Sequence, residues 1–240
     1  MKKTVKFMLG CLLFGSGSIL AFPTSIDPTK PPKKCETFDL KEETSYFIDS
    51  DRQLSLAEEV KYRPTKVLKH VERCADSEII TVLNPKEVWQ SWMPQLVKTV
   101  IDANGITYLD GEGKILYQYP KEALASDEVD QLQWEDEVAF ELNDKIYASA
   151  EKNQAEVIHT ETGYQMKGED FLLEVDQHEL TTMLTFYLKG EYTGSEKVYY
   201  FIEEGKASPK FKINRSFETD AEGRKVEKVV VFTYSNYKNI

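Results

Sequence analysis

The second half of the chain, from about Asp136 to the C-terminus, is a succession of short segments in which apolar residues recur at every second position. Because side chains of a β-strand point alternately to two faces, this pattern is typical of strands with one buried face. Tight polar turns such as Thr162-Gly163 separate the segments, so neighbouring strands are expected to pair as antiparallel hairpins. The segments are EVAFEL, KIYAS, AEVIHT, DFLLEV, TTMLTFYL, KVYYFI, KFKINRSF and VEKVVVFTY.

The sequence therefore predicts a long antiparallel meander. A sheet of this length needs a cover on one face or closure into a barrel, so we expect it to be curved or partly closed. The dipeptide Asn143-Asp144 is predicted to be the hairpin turn between EVAFEL and KIYAS. The last segment is apolar on both faces between Val229 and Phe232, which favours a strand inside the sheet.

Two stretches before the meander have apolar residues at helical spacing. The first runs from Pro64 to Ala75. The second starts at Asn84-Pro85, a favourable cap and first helical residue, and carries an apolar stripe from Val88 to Ile101. Pro94 predicts a kink within it. We expect these helices to pack on one face of the sheet, which gives an α+β fold.

The remaining stretches before the meander have weaker patterns. EIITVL is a candidate buried strand, and ITYLDGEGKILYQY is a candidate hairpin. FDLKEETSYFI is either a short strand or irregular. The polar segment after Pro120 interrupts the strand pattern and is predicted to be a rim or lid.

The N-terminus is typical of a secretory signal peptide, with three lysines before a short apolar region and small residues up to Ala21. A membrane anchor is the alternative, but the apolar region is too short to span a bilayer comfortably. We predict a signal peptide over residues 1–21, an extended Pro- and Lys-rich leader over 22–34, and one domain over 35–240. The protein is therefore expected in the periplasm or outside the cell.

The charge of the exported chain limits its partners. Removal of residues 1–21 takes away three lysines and no acid, which leaves 27 basic against 41 acidic residues and a net charge of −14. A chain this acidic is expected to repel nucleic acid and anionic membrane surfaces.

Two cysteines remain in the exported chain, Cys35 and Cys74. An even number in an exported protein favours a disulfide. Two buried free thiols are the alternative. The bridge would join the start of the domain to the first predicted helix.

The motifs of common enzyme classes do not occur in the sequence. It has no G-x-S-x-G elbow, no phosphate-binding or dinucleotide-binding glycine motif and no EF-hand spacing. The three histidines, His70, His159 and His178, lie on separate segments. We expect no cofactor and no metal, and the sequence favours a protein that is not an enzyme.

These observations favour an exported, non-catalytic binding protein of the bacterial envelope, which holds an apolar small molecule or a partner protein against a curved sheet. The side chains predicted to line the site are aromatic or apolar: Trp89, Trp92, Met93, Tyr117 and Trp134. Packing in the core is the other interpretation of these aromatic residues.

Two alternatives remain. One is a structural or adhesion module that pairs through a sheet edge. The other is a hydrolase that uses Asp or Glu, for which the acids Glu135, Asp136 and Glu137 beside Trp134 are the candidates.

Overall fold

A computed structural model describes residues 35–48, 61–74, 77–88, 95–123, 140–203, 206–219 and 223–239. The strands are β1 (Glu36–Ile48), β2 (Thr65–Arg73), β3 (Glu78–Val82), β4 (Lys98–Asp102), β5 (Gly105–Leu109), β6 (Ile115–Pro120), β7 (Glu156–His159), β8 (Gly163–Lys167), β9 (Phe171–Asp176), β10 (Thr181–Leu188), β11 (Glu191–Glu203), β12 (Lys206–Thr219) and β13 (Lys225–Asn239). The helices are α1 (Pro85–Val88), α2 (Asp144–Lys152) and a 3-10 turn (Lys121–Ala123).

All thirteen described strands form one antiparallel sheet in the order β6-β5-β4-β3-β2-β1-β13-β12-β11-β10-β9-β8-β7. The sheet consists of two meanders, β1–β6 and β7–β13. They meet where β1 pairs with β13, with Leu40 opposite Tyr234. The strands nearest the two ends of the chain thus lie at the centre of the sheet, and β6 and β7 form its edges.

The predicted α+β fold is wrong, because the first predicted helix is the strand β2. It is hydrogen-bonded on both sides, to β1 and to β3, with Val71 opposite Phe38 and Ile80. The apolar positions of this segment fit a strand as well as a helix, since Val67 and Val71 share a strand face. Its β-branched residues suit a pleated surface, and pairing with two neighbours decides the outcome.

The second predicted helix is also largely wrong. Behind Asn84 the structure describes α1, Pro85–Val88, and residues 89–94 of the predicted helix lie outside the described ranges. The end of the predicted apolar stripe is β4, which pairs with β3 and β5. Three β-branched residues in succession, Thr99, Val100 and Ile101, favour this extended conformation.

The predicted hairpin at Asn143-Asp144 and the predicted strand KIYAS are both wrong, because the helix α2 covers Asp144–Lys152. Asn143 has an extended backbone, and its side-chain oxygen accepts hydrogen bonds from the amides of Lys145 and Ile146. The residue therefore caps a helix and does not form a turn. Residues 140–142 of the predicted EVAFEL strand lie outside any strand, and 137–139 fall outside the described ranges.

The rest of the strand pattern is confirmed. The segment FDLKEETSYFI lies within β1, and EIITVL contains β3. The hairpin β5–β6, the strand β7 and the strands β9 to β13 coincide with or overlap the predicted segments, whereas β8 was not predicted. Strand β13 lies between β1 and β12, inside the sheet, as its two apolar faces predict.

One face of the sheet, here called the core face, carries most of the buried apolar side chains. Residues opposite each other in an antiparallel pair share a face, so the register assigns them. Its buried residues include Phe38, Val71, Val82, Tyr108, Tyr164, Met166, Leu173, Val175, Leu184, Val198, Val230 and Phe232. Helix α2 packs Ile146 and Ala150 onto β8, β9 and β10. Beside it, the Phe140 ring packs edge-on against Tyr200, with centroids 5.3 Å apart.

The predicted disulfide between Cys35 and Cys74 is present, with Cα atoms 4.3 Å apart. It joins the start of β1 to the end of β2, so its second anchor is a strand and not the predicted helix. In the described ranges, no helix has the length and apolar character needed to cross a membrane. The predicted signal peptide and leader lie outside those ranges.

Replacement of Asn143 tests the cap of α2. We expect Asn143→Ala to lower the free energy of unfolding by about 1 kcal/mol, because two helix amides lose their acceptor. Asn143→Asp keeps that oxygen and should leave stability close to wild type. Urea unfolding measures both variants, and an equal loss in the two would show that capping is not the cause.

Removal of the disulfide tests the anchor of β1. The bridge spans a sequence separation of 39 residues. For a loop of this length the chain-entropy model gives about 4 kcal/mol of stabilisation. The Cys35→Ser/Cys74→Ser variant should therefore unfold at a lower urea concentration, and reduced wild type should match it. Equal midpoints with and without the bridge would contradict this expectation.

Candidate ligand-binding face of the sheet

The core face ends at β5 and β6 in a group of aromatic and aliphatic side chains, here called the tyrosine patch: Ile106, Tyr108, Tyr117 and Tyr119. Tyr117 lies opposite Tyr108, and Tyr119 lies opposite Ile106. The rings of Tyr108 and Tyr119 meet edge to face with centroids 5.9 Å apart. The turn after β5 brings these residues, separate in sequence, onto one surface.

Exposure rises across the tyrosine patch towards the edge of the sheet. Tyr108 is 8% exposed, whereas Tyr119 is 47% and Tyr117 is 59% exposed. Burial raises the pKa of Tyr108, and the neighbouring Tyr119 adds to this shift. The Tyr108 phenol therefore stays neutral at physiological pH. The tyrosine patch therefore consists of one buried tyrosine, Tyr108, and two tyrosines exposed to solvent, Tyr117 and Tyr119.

The core face of β4, β5 and β6 carries no charged side chain. Its members are Thr99, Ile101, Ile106, Tyr108, Tyr117 and Tyr119. The next strand brings the first charge, Glu78, whose carboxylate accepts a 2.7 Å hydrogen bond from Arg73. An apolar ligand could therefore cover the core face of β4, β5 and β6 without desolvating a charged side chain.

Strand β6 forms an edge of the sheet without a charged residue. The amide of Lys121 donates to the carbonyl of Asn104, beside the opposed pair Gly105 and Pro120. The alternation of an antiparallel ladder then turns the N–H and C=O of Gln118 away from β5. Pro120 has the same orientation, so its missing N–H costs the sheet no hydrogen bond.

The centre of the core face contains a buried ion pair. The Nζ of Lys212 on β12 lies 3.3 Å from a carboxylate oxygen of Glu196 on β11. Lys212 is 2% exposed and Glu196 is 7% exposed. The ammonium also lies 4.8 Å from the centroid of the Phe232 ring. Burial lowers the pKa of Lys212 and raises the pKa of Glu196, while their mutual attraction opposes both shifts.

More charges surround this pair on the neighbouring strands. Lys69 binds Glu42 at 2.6 Å. Arg73 lies 2.7 Å from Glu78 and 3.7 Å from Glu36. We call these five residues together with Lys212 and Glu196 the central charge cluster. Its three basic and four acidic side chains pair with one another, and they separate the tyrosine patch from the apolar region under α2.

Tyr234 lies within reach of the central charge cluster. Burial raises its pKa strongly, and the charge of Glu196 raises it further. Its phenol stays neutral and can serve only as a neutral hydrogen-bonding group. The centre of the core face is thus polar but internally matched.

The opposite face of the sheet holds a histidine–carboxylate pair. The Nδ1 of His70 lies 2.7 Å from Asp39, and the amide of Asn236 donates to the other Asp39 oxygen at 2.6 Å. These two hydrogen bonds lower the pKa of Asp39. Over the described parts of the chain, no three His, Cys, Asp or Glu side chains form a group that could hold a metal ion.

Of the predicted site residues, the structure describes Tyr117, which belongs to the tyrosine patch. Trp89, Trp92, Met93 and Trp134 lie outside the described residues, as do the acids Glu135 to Glu137.

Sequence reasoning missed Tyr108 and Tyr119. A signal was present, because two tyrosines follow and one precedes the DGEG turn at alternating positions. Such positions lie on one face once the hairpin forms. The central charge cluster was also missed, since its residues come from β1, β2, β3, β11 and β12 and no local pattern joins them.

Comparisons with known proteins add little to this geometry. No family model matches the chain, and no curated protein matches it. Among solved structures it is similar to lipovitellin, in a study of lipid–protein interactions, at 9% sequence identity and a TM-score of 0.28. The match covers 87% of this chain and 26% of the lipovitellin chain. No fold or ligand is inferred from a likeness this weak.

Variants of the buried ion pair test the central charge cluster. Lys212→Met leaves Glu196 buried without its cation and should cost about 3–5 kcal/mol of stability. The double variant Lys212→Met/Glu196→Leu replaces the pair by two apolar side chains and should recover most of that loss. Urea unfolding compares the two.

An exposed ion pair provides the control for this experiment. Arg215 and Glu227 pair at 2.9 Å on the opposite face, and Arg215 is half exposed. Arg215→Met should cost less than about 1 kcal/mol. If the single and double variants of the buried pair unfold alike, the pairing of Lys212 with Glu196 is not what stabilises this part of the sheet.

Proposed function

We propose that this chain is an exported, non-catalytic binding protein that holds an apolar ligand against the core face at the tyrosine patch. One observation carries the proposal: Tyr117 and Tyr119 are widely exposed on an uncharged surface that continues the core face. A contiguous exposed apolar patch marks a binding surface, whereas apolar residues that are exposed singly are ordinary.

The composition of the tyrosine patch supports an apolar ligand that has few polar groups. Tyrosine offers a large apolar ring and one hydroxyl, so it can cover a hydrophobic ligand and still orient a single polar group. The nearest charges on this face belong to the paired Arg73 and Glu78. An ionic ligand would find no partner in the patch and would lose its hydration.

The negative net charge of the chain argues against two classes of partner, nucleic acid and anionic membrane surfaces. With residues 1–21 removed, the net charge of −14 opposes binding to nucleic acid and to anionic membrane surfaces. The tyrosine patch has no cation that could offset this repulsion locally. The ligand is therefore an apolar small molecule or an apolar surface of a partner protein.

Location in the bacterial envelope is part of the same proposal. The Cys35–Cys74 disulfide supports it, because such bonds persist in oxidising compartments. The N-terminal pattern of residues 1–21 supports a secretory signal. The continuous sheet formed by all described strands supports one domain over 35–240.

A second candidate function is adhesion through a sheet edge. The specific observation in its favour is β6, which carries no charge and turns the backbone groups of Gln118 outward. The acids named for a hydrolase, Glu135 to Glu137, lie outside the described residues, so no observation of this structure favours that function.

Binding of Nile red, a neutral apolar dye, tests the proposed ligand site. Wild type should bind the dye with a rise in fluorescence. Tyr117→Ala and Tyr119→Ala should each weaken binding about tenfold or more, because a large side chain contributes roughly 1.5–3 kcal/mol on burial and 1.4 kcal/mol is a factor of ten.

Tyr147→Ala is the matched control, since Tyr147 is also exposed but lies on α2, away from the patch. It should bind the dye like wild type. A wild type that takes up no dye, or an equal loss in all three variants, would contradict the proposal.

A further inference from the structure

We propose that strand β6 pairs antiparallel with β6 of a second copy of this chain, around a two-fold axis at Gln118. This pairing would join the two tyrosine patches into one surface. The claim about the joined surface rests on the proposed ligand site, whereas the pairing itself does not. We infer that the partner strand is β6 of a second copy from three features of β6: the direction in which its backbone N–H and C=O groups point, its side chains, and the charges beside it.

The two edges of the sheet differ in their capacity to pair. Strand β7 has four residues and carries Glu156 and His159. Strand β6 has six residues, and no Asp, Glu, Lys or Arg lies between Ile115 and Pro120. Charged residues on an edge discourage pairing with another strand, and β6 lacks them. With one such edge in the described sheet of each copy, pairing produces a closed dimer and not a fibre.

The backbone of β6 fits a two-fold axis at Gln118. Its N–H and C=O point away from β5, so two copies can exchange a pair of hydrogen bonds at this position. On either side of the axis, Leu116 comes opposite Pro120 of the partner subunit. The register of β6 against β5 shifts between Tyr117 and Ile115, which makes Leu116 an extra residue of the strand. The exchange of hydrogen bonds is therefore placed at Gln118 alone. If the pairing were shifted by one residue, the outward N–H and C=O of Gln118 in one copy would not face those of Gln118 in the other, and the two hydrogen bonds would not form.

The side chains in this register are complementary. Tyr117 comes opposite the partner's Tyr119, and Tyr119 opposite the partner's Tyr117. Aromatic pairs across antiparallel strands contribute about 0.2–1 kcal/mol each relative to alanine pairs. A two-fold axis perpendicular to the sheet keeps each residue on its own face. The four exposed tyrosines of the two copies therefore lie together on the core-face side.

The charges that flank β6 are complementary in an antiparallel pairing. Lys114 precedes the strand and Glu122 lies in the 3-10 turn that follows it, so the Lys114 end of one copy comes beside the Glu122 end of the other. Both side chains are exposed at the ends of β6. Opposite charges across strands favour the pairing, whereas like charges directly opposite would oppose it. The acidic chain as a whole repels its copy, and these two contacts reduce that repulsion locally.

The predicted dimer is weak and depends on concentration. Six residues per copy form an interface at the low end of specific contacts, below about 1,200 Å². The joined surface would present two tyrosine patches side by side, which suits an apolar ligand longer than one patch. Low protein concentration thus favours the single-patch form.

Sedimentation velocity over about a hundredfold range of protein concentration tests the pairing. Wild type should shift from monomer to dimer, and Gln118→Lys should weaken dimerisation about tenfold or more, because two ammonium groups meet at the axis. Gln118 is exposed, so the substitution leaves the fold intact. Ile158→Lys adds the same charge to the other edge strand and should dimerise like wild type.

A charge exchange tests the antiparallel orientation of the two β6 strands. Lys114→Glu and Glu122→Lys should each weaken the dimer, and the double variant should restore it. A wild type that stays monomeric throughout, a Gln118→Lys variant that dimerises normally, or a double variant without recovery would each overturn the proposal.

The failure of this proposal can be distinguished from failure of the ligand site. Nile red binding at a concentration where wild type is monomeric reports on the single patch alone. If Gln118→Lys binds the dye normally but does not dimerise, both proposals stand. Normal dye binding by a strictly monomeric wild type would overturn only the pairing, and dimerisation without dye binding would overturn only the ligand site.

Discussion

The antiparallel ladder between β1 and β13 is the interaction on which the rest of the sheet depends. Each strand belongs to a different meander, and their pairing joins the two halves edge to edge. The contact is strongly non-local, since Leu40 lies opposite Tyr234. The entropy of closing so long a loop opposes the contact, and the length of the ladder, from Glu36 to Ile48, offsets it. The disulfide at the start of β1 anchors the same strand to β2.

The ladder also gives the core face its three regions. Apolar side chains under α2 fill the region of β8 to β10, and the tyrosine patch occupies β5 and β6. Between them, the central charge cluster places Lys212 and Glu196 where solvent is excluded. A buried ion pair is weak as a source of stability but penalises alternative pairings, because a shifted register would leave each charge without its partner. The two apolar regions are therefore kept apart in a fixed geometry.

Prediction from the sequence succeeded where two local signals, side-chain alternation and the content of β-branched residues, indicated the same structure. In TTMLTFYL, alternation and β-branched residues both indicate a strand, and β10 matches the segment residue for residue. Prediction failed where a short apolar pattern fits both the spacing of a helix and the alternation of a strand. TKVLKHVER satisfies helical spacing and strand alternation alike, and only its position between β1 and β3 decides for the strand. At Asn143 the same polar residue suits a turn or a helix cap, and the packing of Ile146 on β8 and β9 favours the helix.

The sequence by itself determined most antiparallel strands of the second half, the hairpin β5–β6 and the partner of Cys35, because turn chemistry, side-chain alternation and cysteine number are local or countable properties. It also named Tyr117, which the structure places in the tyrosine patch. Only the tertiary structure decided that β1 meets β13, that Tyr108 and Tyr119 join Tyr117, and that Lys212 faces Glu196. Those contacts depend on the order and register of strands that are far apart in the chain, and no local pattern encodes which distant strand becomes the neighbour.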